Sequence, residues 1–175
     1  MSTVINSAFI LAAGKGTRMA PLTDVCPKPL VRLAGWPILD YVVEHLKASH
    51  VQHLVFNAHH FPEQIVSYAR GLSGFLSADV VREDVLLETG GGLKNAARFL
   101  PVDTPFFMIN GDAFWVDHPH GAGALAQLER VFDAHRMDIL LLVIPVSHMT
   151  LTQGVGDYRI SADGHLIPEI GRAHV

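Results

Sequence analysis

The sequence predicts an α/β layer structure: a mainly parallel β-sheet with helices on both faces, followed by a small β-hairpin near the C-terminus. Three observations predict it. Short, almost continuous apolar runs recur along the chain, as strands covered on both faces require. Segments of helical periodicity alternate with them, the pattern of successive βαβ units. The 175 residues are 49% hydrophobic and only 17% charged, enough to bury a full core in one domain.

In chain order, the expected strands are "SAFILAA" (7–13), "HLVFNA" (53–58), "ADVVRE" (78–83), "PFFMIN" (105–110) and "DILLLVIPV" (138–146). The first expected helix begins near Pro37, where proline suits the first turn, and buries Ile38, Leu39, Val42, Val43 and Leu46. A short helix follows Pro62, with Ile65, Tyr68 and Ala69 inward. A third carries Leu93, Ala96, Ala97 and Leu100 and stops at Pro101. A fourth is marked by Leu125, Leu128, Phe132 and His135. In "DYRISADGHLIPEI" the Asp163-Gly164 pair lies between two short alternating segments, a hairpin signal. There is no solenoid period and no low-complexity linker.

Charge and composition narrow the function classes. Net charge is −4 with no Lys/Arg run, which speaks against nucleic acid as a partner. Between Ala8 and Gly35, however, Lys15, Arg18, Lys28 and Arg32 face a single acid, Asp24, a local balance suited to a small anionic ligand. Cys26 is the only cysteine, so no intrachain disulfide forms and a reducing compartment fits. The start "MSTVINSAFILAAG" lacks a basic segment, and its apolar run is too short for a signal or membrane span, so a cytoplasmic protein without a membrane partner is expected. Eleven histidines are scattered without metal-ligand spacing, and the pairs at 59–60 and 118–120 read as loop and surface residues.

The chemistry lies in "AFILAAGKGTRMAPLT" (8–23), a strand running into a loop of two glycines, a lysine and an arginine. In open α/β sheets the first βα loop is a phosphate site, because successive backbone N–H groups converge there. Two common phosphate motifs are absent. Lys15 sits between Gly14 and Gly16 rather than before a Ser/Thr after a second glycine, and Met19 stands where a dinucleotide fingerprint needs its third glycine. The second strand also ends on Asn57 where that fingerprint would want an acid.

The linked elements L-A-A-G-K-G-T-R-M-x-P-L-T, C-P-K-P-L and L-A-G-W-P-I, in that order, resemble the sugar-1-phosphate nucleotidylyltransferases. "REDVLLETGGGLKNA" (82–96) looks like that family's base- and ribose-binding loop, and "INGDAFW" (109–115) like its Gly-Asp metal site. The resemblance covers roughly residues 7–170. It implies a Rossmann-like fold of the nucleotide-diphospho-sugar transferase type and transfer of a nucleotidyl group from an NTP to a sugar 1-phosphate, with release of pyrophosphate. "LETGGG" and "NGD" most resemble the branch that uses UTP and N-acetylmuramic acid 1-phosphate in cell-wall sugar recycling. Mannose 1-phosphate with GTP, glucose 1-phosphate with dTTP or UTP, and phosphocholine with CTP stay open, as does a non-catalytic nucleotide-binding domain.

Carried onto this chain, the resemblance places Leu11, Ala12, Ala13, Gly14, Lys15, Gly16 and Thr17 around the nucleotide, with Arg18 and Lys15 on the outer phosphates. Lys28, stiffened between Pro27 and Pro29, suits the reacting centre. Asp112 is the expected ligand of Mg²⁺, which favours a carboxylate together with phosphate oxygens. Glu83 and Gly91 are candidates for reading the base, although Glu83 also reads as a solvated strand-end acid. Glu88 and Thr89 either touch ribose or cap a helix. Asn57 and Asn110 either meet the sugar phosphate or hold loops. Trp36, Trp115 and Phe61 read as packing. The family's usual D-V-G-T-type second carboxylate does not occur, so the expectation is a single nucleotidyltransferase domain over 1–175, C-terminally incomplete, that binds nucleotide but turns over poorly alone. Oligomeric state is not legible.

Overall fold

A computed structural model describes residues 4–72, 77–149, 156–163 and 165–168. Residues 1–138 form one compact unit and 139–175 a second.

In the first unit, β1 (Ser7–Leu11), β4 (His53–Ala58), β5 (Ser77–Arg82) and β6 (Phe107–Asn110) build a parallel sheet in the order β5-β4-β1-β6. Ser7 pairs with His53 and Leu11 with Asn57, while Leu11 faces Asn110 on the other side. A two-residue ribbon, β2 (Arg32–Leu33) with β3 (Trp36–Pro37), precedes helix α1 (Ile38–Ala48). Helices α2 (Pro62–Gly71), α3 (Glu88–Ala96) and α4 (Ala124–Val131) complete this unit.

The alternation of side chains across the sheet makes two cores. Ala8, Ile10, Leu54 and Phe56 point to the face covered by α1, α2 and α4 through Leu39, Val42, Leu46, Ile65 and Leu125. Phe9, Val55 and Val81 point to the other face, where Ala96 of α3 and Leu100 meet them. Each fully buried phenylalanine or leucine stabilises this arrangement by about 1.5–3 kcal/mol. Partly buried Tyr68 donates to Asp40 Oδ1 at 2.7 Å, and desolvation together with that bond pushes its phenol well above the ordinary range.

The strand order also explains which helix goes where. Strands β1, β4 and β5 advance in one direction and β6 returns to the far side of β1. Right-handed crossovers then put α1 and α2 on one face and α3 on the opposite one. The reversal leaves a crevice beyond the C-terminal ends of β1 and β6, where ligands bind in such sheets.

Four expected strands form: β4 has the expected ends, β5 is shifted back by one residue, and β1 and β6 are trimmed. β1 stops at Leu11 because the Ala12 N–H leaves the ladder for Asn57 Oδ1. β6 starts only at Phe107. The fifth expected strand, 138–146, is corrected. Residues 139–145 carry no regular structure and join none of the sheets, and only a 3₁₀ turn, Val146–His148, follows. Ile139 is 77% and Ile144 51% exposed, so among the described residues the run has neither a neighbouring strand nor a covering layer, and apolar sequence alone does not make a strand.

The fourth helix is also shorter than its periodicity implies. It ends at Val131, leaving Phe132 and His135 outside. Asp133 accepts the His135 N–H at 3.0 Å through its side chain and those of Arg136 and Met137 through its carbonyl, a local turn that competes with the helix. In the second unit β7 (Tyr158–Ile160) and β8 (Leu166–Pro168) pair antiparallel, as the hairpin signal predicts; Gly164 lies outside the described residues.

Candidate active site

A cavity of about 350 Å³ opens at the crevice, with walls from the ends of β1, β4 and β6, the glycine loop, the Lys28 turn and the first residues of α3. Its floor starts at Leu11, Ala12 and Ala13, which leave the sheet and lead into Gly14. Gly16 adopts φ +64°, the left-handed region that favours glycine. A Cβ there would lie 2.9 Å from Thr23 Cγ2 and 3.0 Å from Lys28 Cβ, so the main chain is pressed against the next wall of the site. The Gly16 carbonyl accepts from Met19 N at 2.8 Å and from Thr23 Oγ1 at 2.9 Å. Thr23 is held in turn by His60, whose Nε2 donates to the Thr23 carbonyl at 2.8 Å.

Lys28 begins a 3₁₀ turn over Lys28–Leu30 between two prolines, with Leu30 N donating to the Pro27 carbonyl at 2.9 Å. Its ammonium forms an ion pair with Asp112 Oδ2 across the cavity. Asp112 is placed by Gly111, whose N–H donates to the Leu11 carbonyl at 2.9 Å. A Cβ at Gly111 would come 3.1 Å from that same carbonyl, so glycine is what lets β6 deliver Asp112 beside β1.

Asn57 ties the strand ends together. Its Oδ1 accepts the Ala12 N–H at 2.7 Å and its Nδ2 donates to Glu83 Oε1 at 2.8 Å. Glu83, only 5% exposed, also accepts the Leu87 N–H on Oε2 at 3.0 Å. Just after it, Glu88 opens α3 with φ +58°, a conformation costly for a residue with a Cβ.

The residues predicted for the site fall into two groups. Gly14, Gly16, Thr17, Arg18, Lys28, Asn57, Glu88, Asn110 and Asp112 line the cavity together with the Leu11–Ala13 floor, and Thr89 joins them. Lys15, Glu83 and Gly91 do not line it: Lys15 is exposed, Glu83 is turned inward onto Asn57 and Leu87, and Gly91 packs on Leu87. Met19, Pro29 and Leu86 line it without having been singled out. All three belong to the quoted motifs, Leu86 through the 82–96 segment. A second hollow of about 540 Å³ lies against α1, among Trp36, Asp40, Tyr41, Glu44 and His45. Its two carboxylates suit an anion poorly.

Among the described residues no group of three or more His, Cys, Asp or Glu could hold a metal ion by itself. The Asp112 carboxylate on the cavity wall fits Mg²⁺ instead, since that ion takes one or two carboxylates and completes its shell with phosphate oxygens and water. No helix in the described residues is long and apolar enough to cross a membrane.

A glycine loop pressed against a lysine turn, at the strand-order reversal of a parallel sheet, defines a nucleotide-binding α/β domain. Comparison with known proteins takes this further. The MobA-like NTP transferase domain matches residues 8–149, and the chain belongs to that family. It is 35% identical over 168 residues to N-acetylmuramate alpha-1-phosphate uridylyltransferase of Caulobacter vibrioides, covering 94% of this chain and 68% of that protein. It is 33% identical over 148 residues to mannose-1-phosphate guanylyltransferase of Mycobacterium tuberculosis, covering 83% of this chain and 39% of that protein. The fold is shared with UDP-glucose pyrophosphorylase solved with UDP-glucose, at a TM-score of 0.67 and 19% identity, over 75% of this chain and 55% of that one. The chain thus spans about two thirds of the Caulobacter relative and a smaller share of the others.

Proposed function

We propose that the protein transfers a uridylyl group from UTP to N-acetylmuramic acid 1-phosphate, releasing pyrophosphate, as a cytoplasmic step of peptidoglycan sugar recycling. The observation that carries the reading is the Lys28–Asp112 pair facing the glycine loop across one cavity. A lysine ammonium and an aspartate carboxylate meet there beside the loop of Gly14 and Gly16, a set suited to a metal-bound phosphate.

In the reaction an oxygen of the sugar phosphate attacks the α-phosphorus of UTP, and the bond from that phosphorus to the bridging oxygen of the β-phosphate breaks. The nucleophile is already ionised, so no general base and no covalent intermediate are needed. Catalysis then consists of positioning and charge stabilisation. Gly14, Gly16 and their neighbours cradle the phosphates, and Thr17 adds a hydroxyl donor. Arg18 lies on the departing pyrophosphate, with Lys15 reaching it from outside the wall. Lys28 exchanges Asp112 for the α-phosphate, where negative charge builds up. Asp112 would hold Mg²⁺, which would supply Lewis-acid neutralisation of the phosphate charge. Asn110 faces the sugar-phosphate side, while Asn57, its amide spent on Ala12 and Glu83, holds the strand ends beside it. With both Glu83 oxygens taken internally and Gly91 packed on Leu87 outside the cavity, the base edge is read by main-chain groups of the 86–89 segment, while the Glu88 and Thr89 side chains meet the ribose.

The sequence similarity to the uridylyltransferase, over nearly the whole chain, favours this substrate pair. The test is pyrophosphate release across a matrix of nucleoside triphosphates and sugar 1-phosphates with Mg²⁺. UTP with N-acetylmuramic acid 1-phosphate should react fastest. A preference for GTP with mannose 1-phosphate would move the protein to the guanylyl reading that the mycobacterial relative supports. Nucleotide binding without pyrophosphate release from any pair would sink the catalytic reading.

A further inference from the structure

The geometry points to Glu83 as a positioning residue: its buried carboxylate clamps the floor of the nucleotide cavity to the wall formed by the start of α3, and it does not read the base. This rests on the nucleotide-binding reading above, and goes beyond it by assigning what sets the distance between floor and wall.

Two donors from different elements converge on the one carboxylate. Asn57 Nδ2, from the end of β4, reaches Oε1 at 2.8 Å, and the Leu87 N–H, just before α3, reaches Oε2 at 3.0 Å. Asn57 passes the constraint on, because its Oδ1 holds the Ala12 N–H at 2.7 Å at the end of β1. A continuous path therefore runs from Ala12 on the floor through Asn57 and Glu83 to Leu87, between cavity residues Leu86 and Glu88. Glu83 is itself pinned, its N–H donating to the Ala58 carbonyl at 2.8 Å while its carbonyl accepts from His59 Nδ1 at 2.9 Å.

Chemistry explains why the residue is glutamate. Facing two N–H donors calls for two acceptor oxygens, which a carboxylate has and a carboxamide lacks. The negative charge lies at the N-terminal end of α3, where unpaired amides favour it. Packing explains Gly92. A Cβ there would fall 2.7 Å from both Asn57 Nδ2 and Glu83 Oε1, so any larger residue would force this bracket apart. The anchored Leu87 amide also immediately precedes Glu88, whose left-handed backbone needs its surroundings to hold it.

The test uses Glu83→Gln, Glu83→Ala and Gly92→Ala in the full 175-residue chain. Gly92→Ala reaches the same bracket from outside without removing a polar group. In the protein without nucleotide, hydrogen exchange at the Ala12 and Leu87 amides should accelerate about tenfold in each variant, with β4 amides unchanged. Affinity for UTP, CTP and GTP, measured by calorimetry, should fall by one common factor of about ten, leaving their ratios within about twofold of wild type. In turnover the loss should appear in KM for the nucleotide rather than in kcat. A changed ratio between UTP and CTP in Glu83→Gln would make Glu83 a base reader and overturn the proposal. Unchanged exchange at Ala12 and Leu87 would overturn it as well. If wild-type protein bound no nucleotide, the functional reading would fail and the exchange measurement would still decide whether Glu83 clamps.

Discussion

Residues 4–138 and 139–168 are both rich in apolar side chains, yet they use them in opposite ways. In the first region Phe9, Leu54 and Phe56 are completely buried between a four-stranded sheet and helices on each face. In the second, Ile139, Leu142, Ile144 and Ile160 are half or more exposed, and among the described residues the ladder is a pair of three-residue strands. An isolated two-stranded hairpin is marginal in water because it has little surface to cover. What separates the two regions is the supply of neighbours: a run of Leu, Val and Ile becomes core only when another strand and a second layer accept it.

Hydrogen exchange should separate the regions most strongly. Amides of β1 and β4 should exchange at least about 10³-fold more slowly than those of 139–145, which open without global unfolding. Equal protection would dissolve the contrast. Phe56→Ala comes next, with an expected loss of about 3–5 kcal/mol in denaturant unfolding because it empties a site enclosed by sheet and helices. At the crevice, Lys28→Ala should lower kcat/KM about 10²–10³-fold with little change in melting temperature, since the residue acts on developing charge rather than on packing. The smallest effect is expected from Leu142→Ser, within about 0.5 kcal/mol of wild type. A larger loss there would mean that the run is covered in solution, and would narrow the contrast.

The same contrast governs what was readable in the chain. β1 and β4 were legible because their apolar runs coincide with real burial on both faces. The run 138–146 carries the same composition and was misread, since composition records what a segment would bury and not whether anything receives it. The glycine loop, Lys28 and Asp112 were legible because phosphate chemistry demands those residue types at short, ordered spacings. Glu83 was recognised as important, but its geometry was not legible: that depends on Asn57 and Leu87 arriving beside it from other elements. Of the two alternatives open for Asn57, its hydrogen bonds to Ala12 and Glu83 match the loop-holding one. The end of α4 was missed because Asp133 offers the chain a local turn that periodicity does not register.

Because Lys28 already pairs with Asp112 and Arg18 is offset by Glu88, the side chains lining the crevice sum to no net charge. Such a mouth exerts little long-range pull on a polyanion in solution. Capture must rely on contacts made after collision, so the rate of association should depend only weakly on ionic strength.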